Sequence, residues 1–164
     1  MSRSGYVDDI EDNWRHICWR GAVNSAIKGK RGQAFLKELI AALDAMPKKA
    51  LIGNSLVTSS GEYCTLGVLG ASRGIDLEKI DPEDWEQVAN AFSIAPAMVR
   101  EIVFENDEVF NDWEWVYGEI CGPMPTRWGQ QHNTSVRVYK ENAAELRWAH
   151  MRKWAESQLN KEQP

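Results

Sequence analysis

Apolar and polar residues follow one another with helical spacing in several parts of the chain. Between residues 8 and 27 the apolar positions recur mainly at steps of three and four, namely Ile10, Trp14, Ile17, Gly21 and Ala22. This spacing predicts a first helix that turns one apolar face to the core. After a break at KGKRG, a second stripe contains Phe35, Leu39, Leu43 and Met46 and ends before Pro47. Together the two segments predict an antiparallel helical hairpin.

The next segment has a different pattern. The stretch ALIGNSLVTSSGEYC places β-branched and apolar residues on both sides of a Thr-Ser-Ser-Gly turn. That arrangement predicts a small β-hairpin at about residues 50–64. The following TLGVLGASRG is short and apolar, and its three glycines indicate close packing against a neighbouring helix.

Two more helices are predicted around a turn at SIAP. With Pro82 at the first helical position, EDWEQVANAF forms one helix and AMVREIVFENDE the next, which gives a helix-turn-helix-like corner at about residues 82–107. A last helix follows near residues 141–159. The fold class predicted is therefore mainly α, a compact helical domain with a small β-hairpin. Residues 1–164 make up a single domain, and residues 118–136 a surface loop or insertion.

The corner has the spacing of a DNA-reading motif but the wrong charge for one. DNA binding draws most of its affinity from lysine and arginine side chains that neutralise phosphates. The presumed recognition helix has one base, Arg100, against the four acids Glu101, Glu105, Asp107 and Glu108. A purely structural helical corner is therefore the favoured interpretation.

Charge is distributed unevenly along the sequence. Residues 76–119 contain thirteen acids and two bases, a net charge of −11, whereas the remainder carries +6 and the whole chain −5. Such a segment either coats a solvated helix face or forms a patch that attracts a basic protein. In NDWEWVYGE, aromatic residues alternate with acids, as in an interface hot spot or in a half-buried strand with its aromatic side chains in the core.

Two basic segments add further candidate sites. In KGKRGQ, the side chains of Lys28, Lys30 and Arg31 precede a helix and are candidates for anion or nucleic-acid binding, although a tight basic turn is the simpler interpretation. In CGPMPTRWGQQH, Arg127 and Trp128 lie on a loop stiffened by prolines, which suits either a contact with a partner or a surface insertion. The predicted partner-binding residues are Glu105, Asp107, Glu108, Asp112, Trp113, Glu114, Trp115, Arg127 and Trp128.

The sequence gives little support for catalysis. The three histidines are far apart without metal-ligand spacing, and no nucleophile elbow, dinucleotide fingerprint or kinase signature occurs. We therefore expect no enzyme activity, no metal and no cofactor. Three widely spaced cysteines indicate reduced thiols, and the absence of a long apolar run predicts no membrane span and a cytoplasmic protein.

Several stretches resemble a family of small accessory proteins encoded by bacteriophages and prophages of Proteobacteria. These are WRGAVNSAIKGKRGQAFLKELIAALDAMPKKALI, GEYCTLGVLGASRGIDLEKIDPED, VREIVFENDE and, in the last helix, MRKWAESQL. The resemblance covers roughly residues 14–108 and the last helix, and it transfers no catalytic residue. It implies a context in which small proteins bind and block a host protein, including components of CRISPR and other defence systems.

The sequence is consistent with two functions. The favoured one is a phage-type inhibitor, acting in the host cytoplasm, that binds a host protein or nucleoprotein complex with a basic surface through an acidic, tryptophan-containing surface. The alternative is a nucleic-acid-binding adaptor or transcriptional regulator that uses the basic terminal segments, with the corner as a dimer or partner surface. A homodimer is left open in both.

Overall fold

The computed structural model describes residues 3–6, 13–119 and 133–160. The chain forms two compact units, one made of Met1–Phe110 with Ala144–Pro164 and the other of Asn111–Ala143. The expectation of a single domain over residues 1–164 stays a prediction.

The described residues are mainly helical with one small two-stranded sheet, which confirms the predicted fold class. The helices are α1 (Asn13–Lys28), α2 (Lys30–Ala45), α3 (Thr65–Ser72), α4 (Trp85–Phe92), α5 (Pro96–Phe104) and α6 (Ala143–Gln158). A 3₁₀ turn covers Leu77–Lys79, and a π-helical turn, Glu105–Val109, continues α5. Strands β1 (Trp113–Glu119) and β2 (Asn133–Tyr139) pair in antiparallel fashion. None of the helices in the described ranges is long and apolar enough to cross a bilayer.

The two-stranded ladder does not lie where the sequence pattern placed it. Residues 50–64 form a tight turn with a single antiparallel bridge between Val57 and Tyr63. Asn54 has a φ of +64°, in the left-handed region, and so interrupts the extended backbone that a longer strand requires. The regular strands are β1 and β2 instead. The predicted loop at 118–136 therefore begins and ends inside strands, and its residues 120–132 lie outside the described part of the chain.

Helix α1 packs on the face opposite to the predicted one. Its buried side chains are Val23 and Ile27, with Trp19 packed against the core beside them. The predicted core residues Trp14 and Ile17 are 71% and 61% exposed. Both faces of this helix carry apolar residues at helical spacing, and the one that docks against α2 and α5 is the stripe through Trp19, Val23 and Ile27.

Helices α2 and α3 supply much of the core. The predicted α2 stripe is confirmed, since Phe35, Leu39 and Leu43 are all buried. The glycines of α3 allow the close packing that the sequence indicated. A Cβ on Gly67 would lie 1.9 Å from the carbonyl oxygen of Leu56, so this position admits no side chain without moving the backbone.

Helices α4 and α5 form the predicted corner. The Asp84 side chain caps α4 by accepting hydrogen bonds from the backbone N–H groups of Glu86 and Gln87. Ser93 ends α4 in the left-handed region, with φ +56°, and Pro96 starts α5. Apolar residues of both helices and of the turn close the corner, and they are all buried, namely Val88, Ala89, Phe92, Ile94, Val99 and Ile102. The first helix begins at Trp85, three residues after the expected Pro82.

Candidate functional site

The β1–β2 hairpin carries a row of aromatic side chains on one of its faces. Register pairs Trp113 with Tyr139 and Trp115 with Arg137. The rings of Trp113 and Tyr139 meet edge to face with centroids 4.3 Å apart. The guanidinium of Arg137 lies 5.2 Å from the ring centroid of Trp113 and 5.8 Å from that of Trp115. Since side chains alternate between the faces of a strand, these four residues share one side of the ribbon; we call them the aromatic face.

The opposite side of the hairpin is also apolar. Val116 pairs with Val136, and Glu114 pairs with Val138. All three valines are exposed, as are Trp113 (38%), Trp115 (56%) and Tyr139 (54%). A two-stranded hairpin is marginally stable by itself in water, and exposed apolar surface on this scale is a common feature of interaction sites.

Polar contacts hold the open end of the hairpin in register. The backbone N–H of Lys140 donates to the carbonyl of Asp112 over 2.9 Å, and the Lys140 Nζ donates to the Asn111 carbonyl over 2.6 Å. The Tyr139 hydroxyl donates to the Asp112 carboxylate over 3.4 Å. Three predicted binding residues thus lie together in the hairpin with a fourth close by: Trp113, Glu114, Trp115 and the half-buried Asp112. Arg127 and Trp128 lie outside the described residues.

Three other predicted binding residues are occupied by contacts within their own unit. The Asp107 side chain is 3% exposed and forms an ion pair with Arg3 over 2.7 Å. Its Oδ1 also accepts hydrogen bonds from the Asn54 backbone N–H over 3.2 Å and from the Asn106 Nδ2 over 2.6 Å. Asp107 therefore belongs to the interior and contributes nothing to an exposed acidic surface.

The neighbouring acids make similar internal contacts. Glu108 accepts a hydrogen bond from the backbone N–H of Ser4 over 3.0 Å. Glu105 lies 3.0 Å from His150 Nε2. Glu101 receives two hydrogen bonds of 2.9 Å from Arg20 and another from Tyr6. The four acids of the presumed recognition helix are therefore internal partners for bases and for residues 3–6.

Arg100 is the one base in the presumed recognition helix, and it is buried. Its guanidinium lies 4.3 Å from the ring centroid of Trp19 and 4.1 Å from that of Trp85, and its Nε donates to the carbonyl of Ser4. Stacking between two indole rings is strongly favourable for a guanidinium. Because this side chain is held inside, the helix offers no arginine or lysine to a phosphate backbone.

The acids that do reach the surface are concentrated ahead of α4. Six exposed acids lie between residues 76 and 86: Asp76, Glu78, Asp81, Glu83, Asp84 and Glu86. The same segment contains one base, Lys79, whose Nζ lies 2.6 Å from Asp76. We call residues 76–86 the acidic segment.

The basic turn is exposed at the start of α2. Lys30 and Arg31 lie at the surface, whereas the Lys28 Nζ donates to the Gln158 carbonyl over 3.0 Å. The first residues of α2 have no side-chain cap on their N–H groups. Lys30 and Arg31 border a groove of about 520 Å³ between α1 and the start of α5.

A second groove was not visible in the sequence. It encloses about 380 Å³ and is lined mainly by apolar side chains, including Met46, Leu51, Ile52, Tyr63 and Val68. The residues come from the end of α2, the 50–64 turn and α3, so no local motif connects them. Among the described residues, no group of three histidine, cysteine or acidic side chains is arranged to hold a metal ion.

The pKa of Glu105 gives a test of the internal acid network. Burial raises the pKa of this carboxyl above its ordinary value of 4.5, and the bond to His150 opposes the rise. A group whose pKa is higher in the folded state than in the unfolded state stabilises the fold at a pH below its unfolded-state pKa. That stabilisation is lost as the pH rises through the folded-state pKa. Glu105→Gln should therefore gain stability relative to the unmodified protein as the pH rises from about 4 to about 7.

Glu38 supplies a control of opposite sign. Its pKa is lowered by the hydrogen bonds from Arg73, so its contribution is present above the unfolded pKa and is lost as the pH falls through the folded pKa. Glu38→Gln should lose stability relative to the unmodified protein over the same rise in pH. Urea unfolding at both pH values measures the two differences, and a change of equal sign in both variants would contradict the assignment.

Comparison with known proteins gives no relative. No family model matches the chain, and no curated protein or solved structure matches it. The class of site therefore rests on the molecule's own geometry, which presents an exposed aromatic hairpin.

Proposed function

We propose that this protein acts by binding a protein partner through the β1–β2 hairpin, without chemical turnover. The observation that carries the proposal is the exposure of large apolar side chains on both faces of a two-stranded ribbon. Tryptophan, tyrosine and arginine dominate the binding energy of protein interfaces, and the aromatic face consists of those three residue types. Its rings are already ordered by contacts with Arg137 and with each other, so binding loses little side-chain entropy there.

The charge of the chain favours a partner with a basic surface. The whole chain carries −5, and the exposed acidic segment has six acids against one base. Complementary charge of this kind mainly raises the rate of association and selects the partner. Neutralising Glu78 and Glu83 together is expected to slow association and weaken its salt dependence, with the dissociation rate unchanged.

The particular form of the proposal is a phage-type inhibitor that occupies a host protein complex and blocks its action. Support for that form comes from the sequence resemblance described above and from the acidic character of the chain, which suits a target whose basic channel handles nucleic acid. DNA reading by the corner itself has less support, because Arg100 is buried between Trp19 and Trp85 and is not available to a phosphate. The alternative of a nucleic-acid-binding adaptor or regulator uses the basic terminal segments, so it does not depend on Arg100.

Substitution of the aromatic face tests the proposal. A Trp113→Ser/Trp115→Ser variant is expected to weaken partner binding by about 30-fold or more, because each ring is an exposed anchor of the kind that forms a hot spot. Tagged full-length protein is incubated with bacterial lysate, with and without nuclease treatment, captured partners are identified by mass spectrometry, and affinities are then measured with the purified partner. Trp115→Ser alone, at the more exposed position, gives a milder variant in case the double substitution disturbs the hairpin.

Leu146 provides the matched control, since it is an exposed apolar residue on α6. Leu146→Gln should leave the affinity unchanged. Retention of the partner by the double tryptophan variant would contradict the proposal, as would equal losses in the tryptophan and Leu146 variants. Recovery of nucleic acid alone, with every protein lost after nuclease treatment, would favour the adaptor function instead.

A further inference from the structure

Helix α1 carries an apolar stripe that nothing in the described structure covers. Trp14, Ile17, Cys18 and Gly21 occupy positions i, i+3, i+4 and i+7, so they lie along one side of the helix. All four are exposed. The side chain of Val23, which faces the core, projects from the opposite side of the same helix.

The stripe has a shape that suits a second helix. Trp14 projects at one end, while a Cβ on Gly21 would meet no atom within 4 Å, so a neighbouring backbone can approach closely there. One turn further on, Ala22 and Ser25 line the groove of about 520 Å³ whose other wall includes Ile94 and Met98. We call the stripe and this groove together the α1 face.

Within α1 and the first two turns of α2, the charged residues are all bases. From residue 13 to residue 37 the chain has six bases and no acid. Arg20 among them is neutralised by Glu101, whereas Lys30 and Arg31 are exposed where they line the groove. The start of α2 adds the positive end of a helix dipole at the same place. A ligand of this face is therefore negatively charged along one edge and apolar along the other.

Area and charge both argue against a second copy of this chain as the occupant. Trp14 presents on the order of 150–200 Å², and three smaller residues do not bring the stripe near the roughly 800 Å² per partner of a stable interface. Two copies that dock through this face would also bring their exposed Lys30 and Arg31 side chains near each other, and like charges repel. Nucleic acid fits less well than protein, because a single ring gives no stacking platform and Ile17 and Cys18 offer bases only apolar contact.

We propose that the α1 face docks an acidic amphipathic helix of a partner protein. The apolar side chains of that helix lie over Trp14, Ile17 and Gly21, and its carboxylates lie toward Lys30 and Arg31. This is the helix-in-groove mode of recognition. The area predicts weak, reversible binding that depends on salt. The proposal does not depend on the hairpin, so either site can be disproved without the other.

The test uses full-length protein and a synthetic probe. The probe is a fluorescein-labelled helix of about 18 residues, or roughly five turns, with leucines at i, i+3, i+4 and i+7 and glutamates on the flanks. A matched probe has lysines in place of the glutamates. Fluorescence anisotropy is expected to show saturable binding of the acidic probe and at least about tenfold weaker binding of the lysine probe.

Variants locate the binding on the α1 face. Trp14→Ala and Gly21→Leu should each weaken the acidic probe by about tenfold or more. Both positions are exposed, so the fold tolerates the changes, which circular dichroism verifies. Lys30→Glu/Arg31→Glu should weaken binding and flatten its salt dependence. Lys48→Glu/Lys153→Glu reverses the same number of exposed charges elsewhere and should leave the affinity unchanged.

Four outcomes would overturn the proposal. They are the absence of saturable binding, equal affinity for the two probes, and equal effects of the two charge-reversal variants. The fourth is a different occupant of the α1 face. A second copy would appear as a dimer in sedimentation that the Gly21→Leu variant no longer forms. Nucleic acid would appear as an oligonucleotide that binds through Lys30 and Arg31 and is not displaced by the acidic probe.

Discussion

Replacement of Asp107 by alanine is expected to lower the free energy of unfolding by about 3–5 kcal/mol, as for removal of one partner from a buried ion pair. The Asp107 and Arg3 side chains are both almost fully buried, with 2.7 Å between Oδ2 and Nη1. The substitution leaves the Arg3 guanidinium without its counter-ion, and it also removes the acceptor for the backbone N–H of Asn54. Desolvated groups without partners are the largest part of the loss.

Urea unfolding followed by far-ultraviolet circular dichroism measures this loss. Asp44→Ala is the matched control, because Asp44 also pairs with an arginine, Arg152, but does so at the surface, where an ion pair contributes little. The double variant Arg3→Ala/Asp107→Ala should lose less than the sum of the single losses. If Asp107→Ala lowers the free energy of unfolding no more than Asp44→Ala does, the Arg3–Asp107 pair does not behave as a buried ion pair.

The second large effect is expected at Gly67. Gly67→Ala should destabilise the protein by about 3 kcal/mol or more, because the new methyl group meets a backbone carbonyl and the core must shift to admit it. The Cβ would lie 1.9 Å from the Leu56 oxygen and 3.0 Å from its carbonyl carbon. A flexible side chain would move aside at low cost, but the backbone of the 50–64 turn is tied to α3 by the bond from the Cys64 N–H to the same Leu56 carbonyl, 3.2 Å long.

The same substitution at Gly21 should have the opposite sign. Gly21 is also a helical glycine, with nothing within 4 Å of the position of its missing Cβ. Alanine there is expected to raise stability by roughly 0.5–1 kcal/mol, because it restricts the unfolded chain and favours helix. Thermal unfolding of the two variants in parallel gives the comparison. Equal shifts in Tm would contradict the close approach of α3 to the Leu56 carbonyl.

Helix positions were predictable from local spacing, but the orientation of a helix was not always so. The α2 stripe was predictable because the large apolar residues occur there on one side only. Helix α1 has apolar stripes on both sides, and periodicity alone cannot tell which of them docks. The choice is made by α2 and α5, whose surfaces accept Trp19, Val23 and Ile27.

The prediction that Glu105, Asp107 and Glu108 form an exposed acidic surface was wrong for a related reason. A run such as ENDE appears as a charged surface when the sequence is read locally. The neutralising partners of this run and of the acid before it are distant in sequence: Arg3 lies 104 positions from Asp107, and Arg20 lies 81 positions from Glu101. No local pattern reveals such pairs, so burial of these carboxylates could be found only from the three-dimensional contacts.

The candidate site was partly predictable. Alternation in NDWEWVYGE indicated either a strand or exposed anchors, and the structure shows a strand in which the rings of Trp113 and Trp115 remain exposed. The cross-strand residues Arg137 and Tyr139 were missed, although SVRVY alternates in the same way. The sequence of one strand does not determine its register with another strand, so the cross-strand partners of Trp113 and Trp115 could not be assigned from the sequence.

The docking of residues 3–6 also bears on how the chain is made. A ribosome releases these residues well before their binding site exists, because Arg100, Asp107 and Glu108 are added about a hundred positions later. The early segment stays unattached until α5 and the π-helical turn have emerged, and closure then joins parts of the chain with large sequence separation, which slows folding. Chaperones or proteases acting on the nascent chain would meet the exposed ring of Tyr6 first and the uncompensated carboxylates later, and completion of α5 with the π-helical turn removes both targets together.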